Sequence, residues 1–336
     1  MTPVELIAAL PDGAIIIGAD GLVVTANEAA REALGLDLKG LTAKAVMRNP
    51  IFHAGLAEAR QTQRPLTIDL ELQSRPPRQF SAHIAPIGSS GHLLVVLRDL
   101  TREQRIERMR SDFVANASHE MRTPLAAIIG TIETLQGPAK NDAKARDRFF
   151  ESMLTQARRM KRLIDDLLTL SRIELNEHVR PNARVDFRDV MRQAKSNLVG
   201  MAKEGNIEIH VHAGDPVVVA GDSDELLQVT QNLVENAIKY GGGGGRVEIL
   251  STVEGRQGKL TVRDFGRGIA EDHIPRLTER FYRVSTQESR ARGGTGLGLA
   301  IVKHIVSRHR GKLEITSQVG QGSTFSIYIP LHHSTT

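Results

Sequence analysis

The 336-residue sequence contains no cysteine and no tryptophan. Without a thiol there can be no disulfide-stapled secreted fold, no thiolate zinc site and no cysteine nucleophile. Aromatic residues make up 4% of the chain, too few for the several exposed rings that a stacking surface for single-stranded nucleic acid needs, so no nucleic-acid partner is expected. Long apolar runs are missing as well. The longest, Ala14 to Ile17 and Leu93 to Leu97, fall far short of the ~20 residues that span a bilayer. The opening residues, Met1 to Ala14, lack the basic segment and apolar core of a signal peptide. A cytoplasmic chain without a transmembrane segment is the expectation. Charge of one sign is not concentrated either: 44 Lys and Arg against 39 Asp and Glu leave a net +5, interspersed along the chain. Such a balance favours solubility and leaves room for an acidic partner.

At roughly 150 residues per domain, the length predicts two or three domains in an α+β multidomain chain. Residues 1–97 read as one α+β module. Apolar runs at Gly13–Ala19, Leu22–Ala26, Leu66–Leu72, Phe80–Ala85 and Gly91–Leu97 have strand length, and turn residues separate them. Asp20-Gly21 predicts a type I′ hairpin between the first two, and a helical stretch runs from Asn27 to about Arg60. This order resembles a PAS domain. The segment Arg48-Asn49-Pro50-Ile51-Phe52 is similar to one in phosphate-regulon sensors. His53, His83 and His92 show no metal-ligand spacing and read as solvated or core histidines.

Residues 98–178 are helical. Ala117, Met121, Leu125, Ile128, Ile132 and Leu135 fall in one stripe about 80° wide at ~100° per residue. Gly137-Pro138 ends this helix, and a second begins near Asn141. On it Met153, Ala157, Met160, Ile164 and Leu167 alternate at four and three, which is coiled-coil spacing. An antiparallel hairpin of two long helices cannot cover both seams alone. Two hairpins about a two-fold axis can, in a four-helix bundle, so a homodimer is expected.

His119 lies outside this seam, about 160° round the helix from Met121, and faces water. An exposed histidine is ordinarily only surface, but this one stands in Ser118-His119-Glu120-Met121-Arg122-Thr123-Pro124-Leu125. Glu120 puts an acid beside the imidazole, and Pro124 frees a carbonyl in the next turn. A zinc-protease helix would need a second His where Thr123 stands, so that reading fails. The stretch from Phe113 onward resembles the phosphoacceptor motif of HisKA-type sensor histidine kinases. The resemblance implies phosphorylation of His119, with Glu120 fixing its tautomer. The Glu120-x-x-Thr123 spacing implies a role for Thr123 in removing phosphate from a partner.

Residues 183–332 carry a second, ordered set of motifs. Asn232 and Asn236 lie one turn apart in an amphipathic helix that continues to Lys239 and Tyr240. Downstream come Asp264-Phe265-Gly266-Arg267-Gly268 after a strand, Glu279-Arg280-Phe281-Tyr282-Arg283, Gly293-Gly294-Thr295-Gly296-Leu297-Gly298-Leu299 opening a helix, and Gly320-Gln321-Gly322-Ser323-Thr324 before the last strand. Glycines at a helix start leave N–H groups free to hold phosphates. Together these resemble the N, G1, F, G2 and G3 boxes of the Bergerat ATP-binding α/β sandwich. The resemblance implies ATP and Mg²⁺ as ligands, with Asn236 and Asn232 on the metal, Lys239 on phosphate and Tyr240 by the nucleoside. It also implies Asp264 and Thr324 by the adenine, with the G1, F and G2 residues around the nucleotide. Residues 271–292 have the composition of a lid. Neither a Rossmann fingerprint nor a Walker A loop is present.

Two departures stand out. Five glycines, Gly241 to Gly245, follow Tyr240, and Arg310 stands where a second glycine is common, which leaves Gly311 to supply a left-handed cap. The expected function is a two-component sensor kinase that passes phosphate from His119 to an Asp of a response regulator receiver domain, with phosphate-starvation signalling as the setting that the resemblance implies. The same fold also serves ATP-driven conformational scaffolds without phosphotransfer. Those use an acidic base on the N-box helix, where Asn232 is an amide and Glu235 is one residue off the face.

Overall fold

The computed structural model describes residues 3–72, 77–88, 90–138, 142–176, 179–241, 245–284 and 294–332. They form two compact units, Met1–Val114 and Ala115–Thr336. The middle of the glycine run, Gly242 to Gly244, residues 285–292 of the expected lid, and Gly293 lie outside the described residues.

In the first unit, helix α1 (Pro3–Ala8) precedes β1 (Gly13–Ile17) and β2 (Val23–Ala26). Helices α2 (Glu28–Leu34), α3 (Ala43–Val46) and α4 (Pro50–Thr62) follow, then β3 (Leu66–Leu72), β4 (Arg78–Ile87) and β5 (His92–Asp99). The strands form one antiparallel sheet in the order β2-β1-β5-β4-β3. All five residues of β1 are buried, because both faces of the sheet are covered there. Ile15 and Ile17 join a core with Phe52, Phe80 and Leu93, while Ala14 and Ile16 pack on the other face against Ile7 of α1. Sequence reasoning had no helix at α1. One amide ties it in: Asn27 Nδ2 donates to the carbonyls of Ile7, Leu10 and Asp12, and its Oδ1 accepts from the N–H of Ala14 and Ala30.

The helical stretch from Asn27 to Arg60 is three helices. Each starts at a polar cap, Asn27, Thr42 or Asn49, whose side chain satisfies a free N–H. The Asp20-Gly21 turn differs from type I′. Of its two central residues only Gly21 has positive φ (83°), Asp20 Oδ1 accepts from Leu22 N–H, and the pairing shifts between Ile16 and Ile17. His83 Nδ1 lies 3.0 Å from Thr67 Oγ1, His92 Nδ1 lies 2.8 Å from Ser90 Oγ, and the His53 ring meets Phe52 edge-on.

Helix α5 (Thr101–Gln136) carries the chain into the second unit, where α6 (Ala143–Leu175) follows it. Pro124 sits inside α5, and the helix runs through it. The expected seams are covered only in part: Ala117 is buried, while Leu125 and Ile132 on α5 and Ile164 on α6 are between 41% and 46% exposed, and beside them Ile129, Leu154 and Leu168 are between 46% and 52% exposed.

The rest of this unit is a sandwich. Its elements are β6 (Ala183–Asp186), α7 (Phe187–Glu204), β7 (Glu208–His212), β8 (Val218–Gly221), α8 (Ser223–Tyr240), β9 (Arg246–Glu254) and β10 (Gln257–Asp264). A 3₁₀ turn at Glu271–Arg276, helix α9 (Gly298–Arg308), β11 (Lys312–Gln318) and β12 (Gly322–Pro330) complete it. The larger sheet has the order β11-β12-β10-β9-β7, with only β7 and β9 parallel, and β6 pairs with β8. Helices α7, α8 and α9 turn Met191, Leu233 and Ile301, all fully buried, toward Val247, Leu260 and Ile327 of the sheet. Among the described residues no helix is long and apolar enough to cross a membrane.

Arg310 itself takes the left-handed conformation (φ 52°), a role expected of Gly311. Gly311 is needed for space instead: a Cβ there would lie 2.3 Å from the carbonyl oxygen of Tyr328.

Candidate nucleotide site and phosphoacceptor hairpin

Asp222 caps α8 by accepting the N–H groups of Asp224 and Glu225. The cap fixes the start of a helix that lays Asn232, Asn236 and Lys239 on one wall of a cavity of about 210 Å³. Tyr240 and Asp264 stand beside them, Gly294, Thr295 and Gly296 form the loop opposite, and Gly298 and Leu299 begin α9 there. Asn232 Nδ2 is buried without a hydrogen-bond partner, and a Cβ on Gly298 would lie 3.4 Å from Asn232 Oδ1. The unsatisfied donor on Asn232 suits a phosphate oxygen, and an amide oxygen is the kind of hard donor that a phosphate-bound cation takes.

Asp264, at the end of β10, is 5% exposed. Burial pushes its carboxyl pKa up, opposed by the N–H groups of Gly266 and Ser323, both of which hold Oδ1. The Ser323 side chain also hydrogen-bonds this carboxylate, and Asp264 lines the cavity. The glycines around Asp264 serve close approach of chain to chain. A Cβ on Gly266 would fall 2.5 Å from Gly241 Cα, and one on Gly268 2.0 Å from the carbonyl oxygen of Gln318. Gly296 (φ 74°) meets Phe281, itself at φ 64°, whose N–H donates to the Gly296 carbonyl.

Several sequence assignments shift. Thr324 is not on the cavity wall; Ser323 and Phe325 are, since alternate residues of β12 face opposite ways. Gly266, Phe281 and Leu297 support the wall without lining it, whereas Gly268, Tyr282 and Arg283 line it. Glu235, expected off the face, lines the cavity too and is paired with Lys239 Nζ at 2.9 Å.

On α5, His119 and Thr123 are both exposed, and the Thr123 hydroxyl donates to the His119 carbonyl at 3.2 Å. None of His119, Glu120 and Thr123 lines the cavity. Glu120 Oε2 accepts from Arg159 and Arg283, each at 3.0 Å, because two guanidinium groups converge there from α6 and from the cavity wall. Further contacts join hairpin and sandwich: Arg280 to Glu174 at 2.5 Å, Thr295 to Asp166 at 2.7 Å, and Arg308 to the carbonyls of Asn176 and Val179.

Sequence reasoning missed Arg162 and Asp166, which line the cavity from α6, and Arg159. The one sign of them was charge set directly beside the apolar seam. It also passed over His309, which is fully buried and whose Nε2 accepts the Asp222 N–H at 3.0 Å, locking the end of α9 to the start of α8.

A nucleotide-binding sandwich joined to a hairpin that displays a histidine defines a protein-histidine kinase. Known proteins bear this out. The family described as "Histidine kinase-, DNA gyrase B-, and HSP90-like ATPase" matches residues 221–333, "His Kinase A (phospho-acceptor) domain" matches 109–176, and "PAS fold" matches 7–105. The phosphate regulon sensor protein PhoR of Pseudomonas aeruginosa is 38% identical over 327 residues, 96% of this chain and 73% of that protein. Sensor-like histidine kinase SenX3 of Mycobacterium tuberculosis is 32% identical over 97% of this chain and 79% of its own length. The solved structure of histidine kinase AdeS from Acinetobacter baumannii is 28% identical, with a TM-score of 0.51, covering 64% of this chain and 98% of that one. The chain belongs to the sensor histidine kinases, of the PhoR type: it is an ATP-binding phosphotransferase of two-component signalling, and the scaffold alternative is not favoured.

Proposed function

We propose that the chain phosphorylates itself on His119 from Mg²⁺-ATP, as a homodimer, and passes the phosphoryl group to an Asp of a response regulator receiver domain. The same bundle face would also dephosphorylate that regulator through Thr123. The likeness to PhoR supports a place in phosphate-starvation signalling. The observation that carries the reading is the pairing, within one unit, of a cavity walled by Asn232, Asn236, Asp264 and the Gly294–Gly298 loop with a hairpin displaying an exposed His119. The partly uncovered seam on α5 and α6 supports the homodimer.

In this mechanism the Asp264 carboxylate accepts the adenine amino group, which selects adenine because a carboxylate only accepts. The N–H groups of the glycine loop hold the triphosphate at the start of α9. Asn232 and Asn236 would hold Mg²⁺, whose chemistry there is to neutralise charge between the β- and γ-phosphates. A neutral ring nitrogen of His119 forms a bond to the γ-phosphorus as the bond to the bridging oxygen breaks and ADP departs. The other ring nitrogen keeps its proton, and Glu120 accepts a hydrogen bond from it after letting go of Arg283.

Incubation with γ-labelled ATP tests the proposal. Label should appear on the chain, be lost in acid and survive base, as a phosphoramidate does. His119→Gln should bind ATP and take up none. Stable labelling of that variant would place the acceptor elsewhere.

A further inference from the structure

Helix α6 belongs to the hairpin, yet Arg162 and Asp166 on it reach the wall of the nucleotide cavity. Asp166 Oδ2 accepts the hydroxyl of Thr295 at 2.7 Å, and Thr295 Oγ1 in turn accepts the N–H of Leu297. Thr295 therefore stands between this carboxylate and the backbone of the glycine loop. Burial raises the Asp166 pKa; Glu235 adds to the rise, while the Thr295 hydroxyl, Lys239 and Arg162 oppose it. A half-buried anion thus sits among the groups that the ATP reading assigns to phosphate. The packing of α6 does not call for it, since Leu163, Leu170 and Ile173 carry the buried face of that helix.

We infer that Asp166 is a built-in competitor of the nucleotide's phosphates. While the sandwich sits on the hairpin, its carboxylate takes the hydroxyl of the glycine loop, in the field of Lys239, which Glu235 pairs at 2.9 Å, so triphosphate binding and this docked arrangement oppose each other. The inference rests on the ATP reading of the cavity. Two anions drawn to one hydroxyl in a poorly screened cavity repel each other strongly. Linkage makes the effect mutual: docking weakens the triphosphate by the factor with which the triphosphate weakens docking. The ion pairs Glu120–Arg283 and Glu174–Arg280 hold the same arrangement from either side of Asp166 in sequence.

Competition binding to the full chain tests this, with adenosine and with a non-hydrolysable ATP analogue plus Mg²⁺ as probes. Asp166→Asn keeps the shape and an oxygen for Thr295 but drops the charge. The analogue should bind roughly five- to fifty-fold more tightly to this variant, while adenosine, which has no phosphate, binds as before. Asp166→Ser should shift the analogue in the same direction, so a folding defect in one variant does not decide the matter. Equal shifts for both ligands would mean that Asp166 only shapes the cavity, and an unchanged or weaker analogue, as for a lost metal ligand, would equally overturn the inference. If the unaltered chain binds no analogue, the ATP reading falls and this inference with it. If it binds the analogue but the variants do not tighten, this inference alone falls.

Discussion

Glu120 and Arg283, 163 residues apart, meet through a 3.0 Å hydrogen bond from Nη2 to Oε2, and the Arg283 side chain is only 4% exposed. Arg159 donates to the same oxygen. The acid next to the phosphoacceptor thus serves as counterion to a cation on the cavity wall, and the two functional parts of the unit share one charge.

The coupling between these residues is measurable. In a double-mutant cycle of Glu120→Ala and Arg283→Ala, followed by urea denaturation, the pair should show an interaction energy of about 1–3 kcal/mol, since Glu120→Ala strips the buried Arg283 of this partner while Arg283→Ala leaves Glu120 with Arg159. Additive changes would show that the contact contributes nothing to holding hairpin and sandwich together.

Asn236→Ala should cut self-phosphorylation at least ~100-fold, by analogy with the loss of an electrostatic catalytic element, because it removes an amide oxygen from the cavity wall. Asn236→Asp should do likewise, since it exchanges amide donors for charge. Phosphoryl label per chain in initial-rate assays is the measurement; full activity of the Ala variant would place the metal elsewhere.

Thr123→Ala should leave self-phosphorylation near the parent level and slow decay of the phosphorylated regulator. Thr123 and His119 are one helical turn apart and both exposed, so the hydroxyl can orient a water toward an acyl phosphate once it leaves the His119 carbonyl. Unchanged decay would remove this role from Thr123. Collapse of self-phosphorylation would assign it to the helix around Pro124 instead.

His309 predicts a pH dependence of stability. Asp222 N–H donates to Nε2, and Nδ1 faces the Ile305 carbonyl at 2.8 Å, so the ring is neutral with its proton on Nδ1. Burial holds its pKa below the ordinary value of about 6.5, with Arg308 and Arg180 acting the same way and Asp222 opposing; Glu225 lies 3.8 Å from Nδ1. The unfolded chain takes up this proton first. The contribution is therefore complete above the unfolded pKa and is lost as pH falls through it. The denaturation midpoint should drop between about pH 7.5 and about pH 5.5, and His309→Gln should flatten the curve there. The difference between the curves isolates the imidazole from Glu225, Asp166 and Asp264, whose raised pKa values act with the opposite sign. Parallel curves would rule out the imidazole as their source.

The nucleotide wall was readable because its residue types are unusual where they stand: amides one turn apart, an Asp at a strand end, glycines at a helix start. Thr324 was misplaced because a strand's facing depends on register, and a shift of one residue exchanges Thr324 for Ser323 and Phe325. Glu235 was misjudged because an angle on an isolated helix does not say how wide a cavity opens in front of it. Asp166 was invisible for another reason. Its partner, Thr295, lies 129 residues away, and no local pattern marks a contact between a hairpin and a sandwich. Helix α1 was missed because the cover of β1's second face depends on Asn27, whose side chain gathers three carbonyls.

The half-exposed leucines and isoleucines of α5 and α6 bear on more than assembly. A hairpin whose apolar stripe is finished by a second copy holds part of its folding free energy in another molecule, so its melting temperature rises with concentration. The abundance of the protein then becomes a control variable in its own right: in a scarce chain the helix that presents His119 loses its cover, and with it goes the α6 wall of the cavity, Arg162 and Asp166.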